Sequence, residues 1–159
     1  MNPTVYLETT VVSYLAAWSS KDVIRQGHQE VTRRWWGERR SGFDLLTSQF
    51  VLDEAAAGDS TAAAERLALL NDVELLEITD EVAPLADRLL REGALPTKAR
   101  LDALHLAVAT VHRIDYLMTW NCKHLANALL WHRISKACRA AGFEPPTICT
   151  PLELLGDGA

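Results

Sequence analysis

The stretch Leu101 to Asn127, LDALHLAVATVHRIDYLMTWNCKHLAN, constrains the fold of this chain more than any other. Leu101, Leu104, Val108 and Val111 recur at spacings of three, four and three, which predicts a helix with an apolar stripe turned to a core. Ala103, Ala107 and Ala109 keep that helix slim, so a neighbour can approach its backbone closely. Asp102 lies off the stripe on this crowded surface, where a carboxylate needs partners. After Arg113, the run Tyr116 to Trp120 is short and mostly apolar, as expected of a strand covered on both faces. It ends at Asn121. A helix that leads into a buried strand points to a parallel α/β sheet, in which ligands gather beyond the carboxyl ends of the strands. Asn121 is placed there.

The rest of the chain repeats this alternation. Val5 to Leu7 reads as a first buried strand, followed at once by Glu8 and by a helix from Val11 to Trp18 that Thr9 or Thr10 can cap. A carboxylate directly after a buried strand is paired, bonded to helix N–H groups or bound to a cation. A helix from Asp22 to Arg40 sets Val23, Ile24, Gly27, Val31 and Trp35 on one side and Arg25, Arg33, Arg34, Arg39 and Arg40 on the other. With Trp35 and Trp36 nearby, the basic side could receive a nucleic-acid backbone and stack a base, although a solvated face is the safer reading.

Phe43 to Thr47 reads as the second strand, and the next helix, from Ser48 or Gln49, carries Asp53 and Glu54. Adjacent helical residues point about 100° apart, so one of the two faces a site. Glu54 is the choice, with Asp53 solvated. Ser60 to Leu70 is a further helix and Val73 to Ile78 the third strand; Thr79 caps a helix ending near Gly93. Pro96-Thr97 opens the helix of Asp102, which places that acid beyond the first turn. A helix from Asn127 to Ala141, a strand from Thr147 to Thr150 and a turn at Pro151 to Leu155 complete the chain.

At 159 residues, with 48% hydrophobic and 23% charged, the expectation is a single domain spanning 1–159. No apolar run approaches the ~20 residues of a membrane span, and the N-terminus has no basic segment leading into an apolar one. A soluble, cytoplasmic protein is expected. Cys122, Cys138 and Cys149 show no paired spacing, so reduced thiols are expected rather than a disulfide frame or a zinc site. The net charge of −5 argues against broad attraction to nucleic acid, unless some of the acids are metal ligands and neutralised in use. No Gly-rich loop follows the first strand, which counts against a nucleotide switch domain.

Glu8, Glu54, Asp102 and Asn121 can thus converge. A cluster of carboxylates demands a cation or shifted pKa values, and oxygen ligands favour Mg²⁺ or Mn²⁺, ions suited to phosphodiester hydrolysis. The segments YLETTVVSYL, SQFVLDEAAAGD, LDALHLAVA and YLMTWNCKHLAN resemble, in order and spacing, the four successive motifs of PIN-domain proteins, in the style of VapC-like toxin ribonucleases. The resemblance implies a three-layer α/β/α sandwich with a central parallel sheet and a metal-dependent ribonuclease that cuts RNA. It implies that Glu8, Glu54 and Asp102 bind Mg²⁺ or Mn²⁺, with Thr10 and Thr119 in support, and that the partner is a small antitoxin. Two residues depart from the pattern: Glu8 stands where the family usually has Asp, and Asn121 where it usually has a fourth Asp. An amide contributes no negative charge and cannot act as a base. That departure supports a second expectation, a PIN-fold binding or interaction module with weakened catalysis. His105 and His124 read as structural histidines and Lys123 as a surface lysine or a phosphate contact. Five tryptophans are many for this length, and a homo-oligomer is expected to cover some of them.

Overall fold

In the computed structural model, which describes residues 1–156, five parallel strands form one sheet in the order β3-β2-β1-β4-β5. The strands are β1 (Thr4–Leu7), β2 (Asp44–Thr47), β3 (Glu74–Leu75), β4 (Tyr116–Met118) and β5 (Thr147–Cys149). Between β1 and β2 run α1 (Thr9–Ala16) and α2 (Val23–Glu38), and between β2 and β3 run α3 (Gln49–Ala55) and α4 (Ser60–Leu69). Then α5 (Val82–Arg91) and α6 (Arg100–Val111) lead to β4, and α7 (Ala128–Ala140) leads to β5. The chain winds outward from β1 through β2 to β3, then returns to place β4 on the other side of β1. Right-handed crossovers therefore put α1 to α4 on one face and α5 to α7 on the other. The packing agrees, since α1 rests on α2, α3 and α4 while α5 rests on α6 and α7. This is the expected three-layer sandwich, and its reversal of winding between β1 and β4 is where such sheets open a crevice. No helix among the described residues is long and apolar enough to cross a membrane.

The central strand explains its own position: Val5, Tyr6 and Leu7 have no exposed surface, so β1 must be covered on both faces. The helices are less regular than their apolar spacing predicts. In α6 the stripe is only part of the buried face: Val108 is buried, Leu104 and Val111 are half-buried and Leu101 is exposed, while Ala103, His105, Leu106, Ala107, Ala109 and Thr110, off the stripe, are buried too. Small residues let α6 sink until nearly its whole circumference is covered, and a stripe no longer marks the inside. In α2, Val23 and Ile24 are 80% and 71% exposed, and the buried residues are Gln29, Thr32 and Trp35. Two of these are polar because each answers a specific partner. Gln29 accepts from Ser20 N–H and donates to Trp18 C=O, and Thr32 Oγ1 accepts from Trp120 Nε1 at 2.7 Å. Trp35 is wholly buried against Phe43, which removes it from any base-stacking surface, and Arg40 lies over Trp36.

Several expected boundaries shift. β3 is only two residues long, an edge strand with both side chains exposed. α5 starts at Val82, and Thr79 serves it only through its backbone carbonyl. α6 starts at Arg100 after a turn from Pro96 to Ala99, so Asp102 lies in its first turn, where the helix dipole favours a carboxylate. Cys138 and Cys149 are buried free thiols, pushed up by burial to about 11 and about 12 respectively.

Candidate active site

The parallel register opposes Leu7 to Met118, so the residues that follow, Glu8 and Thr119, emerge side by side at the carboxyl ends of β1 and β4. Glu8 rather than a threonine caps α1: its Oε2 accepts from Thr10 N–H at 3.1 Å. Its Oε1 accepts from Thr10 Oγ1 at 2.6 Å and from Thr119 Oγ1 at 2.5 Å. Thr10 is also bound by Trp120 N–H at 2.8 Å. The two threonines expected to support the site therefore touch Glu8 directly and fix a carboxylate that is 3% exposed.

Glu54 arrives from α3, with Asp53 turned to solvent against Gln49 as expected. Glu54 Oε1 accepts from Thr9 Oγ1 at 2.7 Å and meets His105 Nε2 at 2.5 Å, while Oε2 makes no hydrogen bond among the described residues. Burial opposes ionisation of Glu54, but the hydrogen bond and charge of His105 and the hydroxyl of Thr9 outweigh it and hold the carboxyl below its ordinary range. One ligating atom from each of Glu8, Glu54 and His105 lies within 4.8 Å of the others.

Asp102 stands one helical turn before His105, outside that trio. Asn121 Nδ2 donates to its Oδ1 at 3.0 Å, and His124 Nδ1 lies 2.9 Å from its Oδ2. The amide oxygen of Asn121 accepts from His124 N–H at 3.0 Å, and Asn121 N–H donates to Thr119 Oγ1 at 2.9 Å. A continuous path of hydrogen bonds thus runs from Asp102 through Asn121 and Thr119 to Glu8. Lys123 is exposed beside it.

Sequence reasoning treated both histidines as structural. They are satisfied, as that reading holds, but each is satisfied by an acid of the site. The signal was present for His105, three residues after Asp102 and so on the same helical face. No local signal marks Thr9 or Tyr6. Tyr6 reaches the site because β1 is central, with its Oη 2.7 Å from His105 Nδ1 and 2.7 Å from Ser48 Oγ.

Comparison with known proteins agrees with this architecture. The structure is similar to VapBC2 from Rickettsia felis bound to a promoter DNA fragment, with a TM-score of 0.59 at 14% identity over 92% of this chain and 98% of that one. It is also similar to Mycobacterium tuberculosis VapC20, a sarcin–ricin-loop-cleaving toxin, with a TM-score of 0.52 at 16% identity over 90% of this chain and all of that one. No curated protein matches by sequence. The PIN domain model matches residues 5–122, a span holding Glu8, Glu54, Asp102 and Asn121, and the chain belongs to the PIN-domain family.

Proposed function

We propose that this protein is a divalent-metal-dependent endoribonuclease, the toxin of a toxin–antitoxin pair. The observation that carries the reading is the approach of Glu8 and Glu54 at the crevice between β1 and β4. Two carboxylates this close repel unless a cation or proton lies between them, and Glu54 is held in its ionised form. The donor set fits a hard ion: Glu8 is locked by hydroxyl donors, and Glu54 keeps Oε2 uncommitted. Mg²⁺ or Mn²⁺ would be held by Glu8 and Glu54, with Asp102 as the third carboxylate. When bound, such an ion supplies Lewis-acid stabilisation of a phosphate and acidifies water.

The chain's own residues do the remaining work. Thr10 and Thr119 hold Glu8 in one rotamer, and Asn121 and His124 hold Asp102. Lys123, exposed two residues after Asn121, is the proposed contact to a phosphate of the strand. RNA is the substrate class by family membership and by likeness to a loop-cleaving toxin, and a small antitoxin is the proposed protein partner.

Asn121 favours a second reading, an interaction module with weakened catalysis, because its amide oxygen is spent on His124 N–H and adds no charge. Cleavage of a mixed RNA substrate by the parent and by Asp102→Ala, each in Mn²⁺ or EDTA, separates the two. A nuclease cuts only with Mn²⁺ and loses about 10- to 100-fold in Asp102→Ala. Equal, EDTA-insensitive cleavage, or none, would leave the interaction module standing.

A further inference from the structure

We infer that His105 is a positioning residue, which presents an Nε2–H donor to Glu54 and is not itself a metal ligand. The inference rests on the metal reading above and specifies how that site is assembled. A ligand role is the obvious alternative, since a His105 ring nitrogen lies within 4.8 Å of carboxylate oxygens of both Glu8 and Glu54. The hydrogen-bond chemistry decides against it. An ionised carboxylate only accepts, so the nitrogen that meets Glu54 Oε1 at 2.5 Å carries the proton. A protonated ring nitrogen has no lone pair to offer a cation.

The other nitrogen faces inward. Nδ1 lies 2.7 Å from Tyr6 Oη, which lies 2.7 Å from Ser48 Oγ. Whether the Ser48–Tyr6–Nδ1 row donates toward the ring or away from it, Nε2 donates to Glu54, so every polar group in the buried row is satisfied. The ring is also wedged between Tyr6 and Phe50, with centroids 5.8 and 6.4 Å away. His105 has no exposed surface. The consequence falls on Glu54: Thr9 and His105 together occupy Oε1 and leave Oε2 as the oxygen free to ligate. The site then remains an oxygen site, which suits Mg²⁺ or Mn²⁺ over softer ions.

The test is calorimetric titration of the full chain with Mn²⁺, comparing the parent with His105→Gln and His105→Asn, alongside thermal unfolding in EDTA to verify folding. A glutamine amide reaches the Nε2 end of the ring and an asparagine amide the Nδ1 end. His105→Gln should stay within about threefold of the parent, and His105→Asn should bind about tenfold more weakly. Parent-like binding by His105→Asn, or equal weakening of both, would overturn the inference. A second measurement needs no variant. In the ¹⁵N-histidine NMR spectrum of the parent, the Nε2 proton of His105 should persist when Mg²⁺ is added, whereas its loss would identify a ligand. Absence of any Mn²⁺ binding by the parent would bring down the metal reading and this inference together. Parent binding without the expected contrast would bring down this inference alone.

Discussion

At Asn121 a single atom decides what the corner of the site can hold. Its Nδ2 donates to Asp102 Oδ1 at 3.0 Å, and an aspartate in its place would set two carboxylates at that separation. Asn121→Asp should therefore lose about 1.5–3 kcal/mol of metal-free stability with the charge-assisted hydrogen bond. It should also bind Mn²⁺ more tightly, because the added charge attracts a hard cation. Thermal unfolding in EDTA and calorimetry check the two halves. Unchanged values in both would detach this corner from the metal site. Glu54 makes a pH-dependent contribution of known sign: its folded pKa is lowered, so its stabilisation is full above the unfolded value and is lost as pH falls through the lowered folded one. Glu54→Gln should flatten that acidic part of the metal-free stability profile. A profile that keeps its slope would show that the His105 and Thr9 contacts do not favour the carboxylate.

Among the elements, α2 shows how polar residues can fasten a helix as firmly as apolar ones. Thr32 joins α2 to the end of β4 by accepting from Trp120 Nε1 at 2.7 Å, and Trp120 stacks on His28 at 4.0 Å. Thr32→Val keeps the volume but strands a buried N–H, at a cost of about 1–3 kcal/mol. Chemical denaturation should show the loss. No loss would mean that water replaces the hydroxyl. Apolar spacing misjudged α2 and α6 for opposite reasons. Val23 and Ile24 stand in the first turn of α2, where the chain beneath them offers no cover, while α6 is slim enough to be buried almost all round.

For the whole molecule, the exposed aromatics bear on assembly. Of the five tryptophans, Trp35 and Trp120 are buried, whereas Trp18 is 95% exposed, and Val23 and Ile24, five and six residues on, are uncovered too. Exposed apolar residues of this size favour self-association, and we expect a homodimer that Trp18→Ser weakens. Sedimentation of the parent as a monomer at tens of micromolar, a range where only weak contacts dissociate, would contradict this. What the sequence determined by itself was the alternation of strand and helix, and with it a parallel sheet with Glu8 and Asn121 near the ends of strands. These follow from buried apolar runs and from the residue type that breaks each run, both local properties. That Asp53 and Glu54 face apart, with Asp53 in solvent, was legible too, since helical geometry turns adjacent residues apart. Only the tertiary structure decided which acids share a centre. The order β3-β2-β1-β4-β5 sets Glu8 beside Thr119 and brings α3 against α6, so that Glu54 finds His105, 51 residues away in sequence. No local pattern encodes that meeting, because it arises from strand order, and strand order is chosen by how the whole chain buries its central strand.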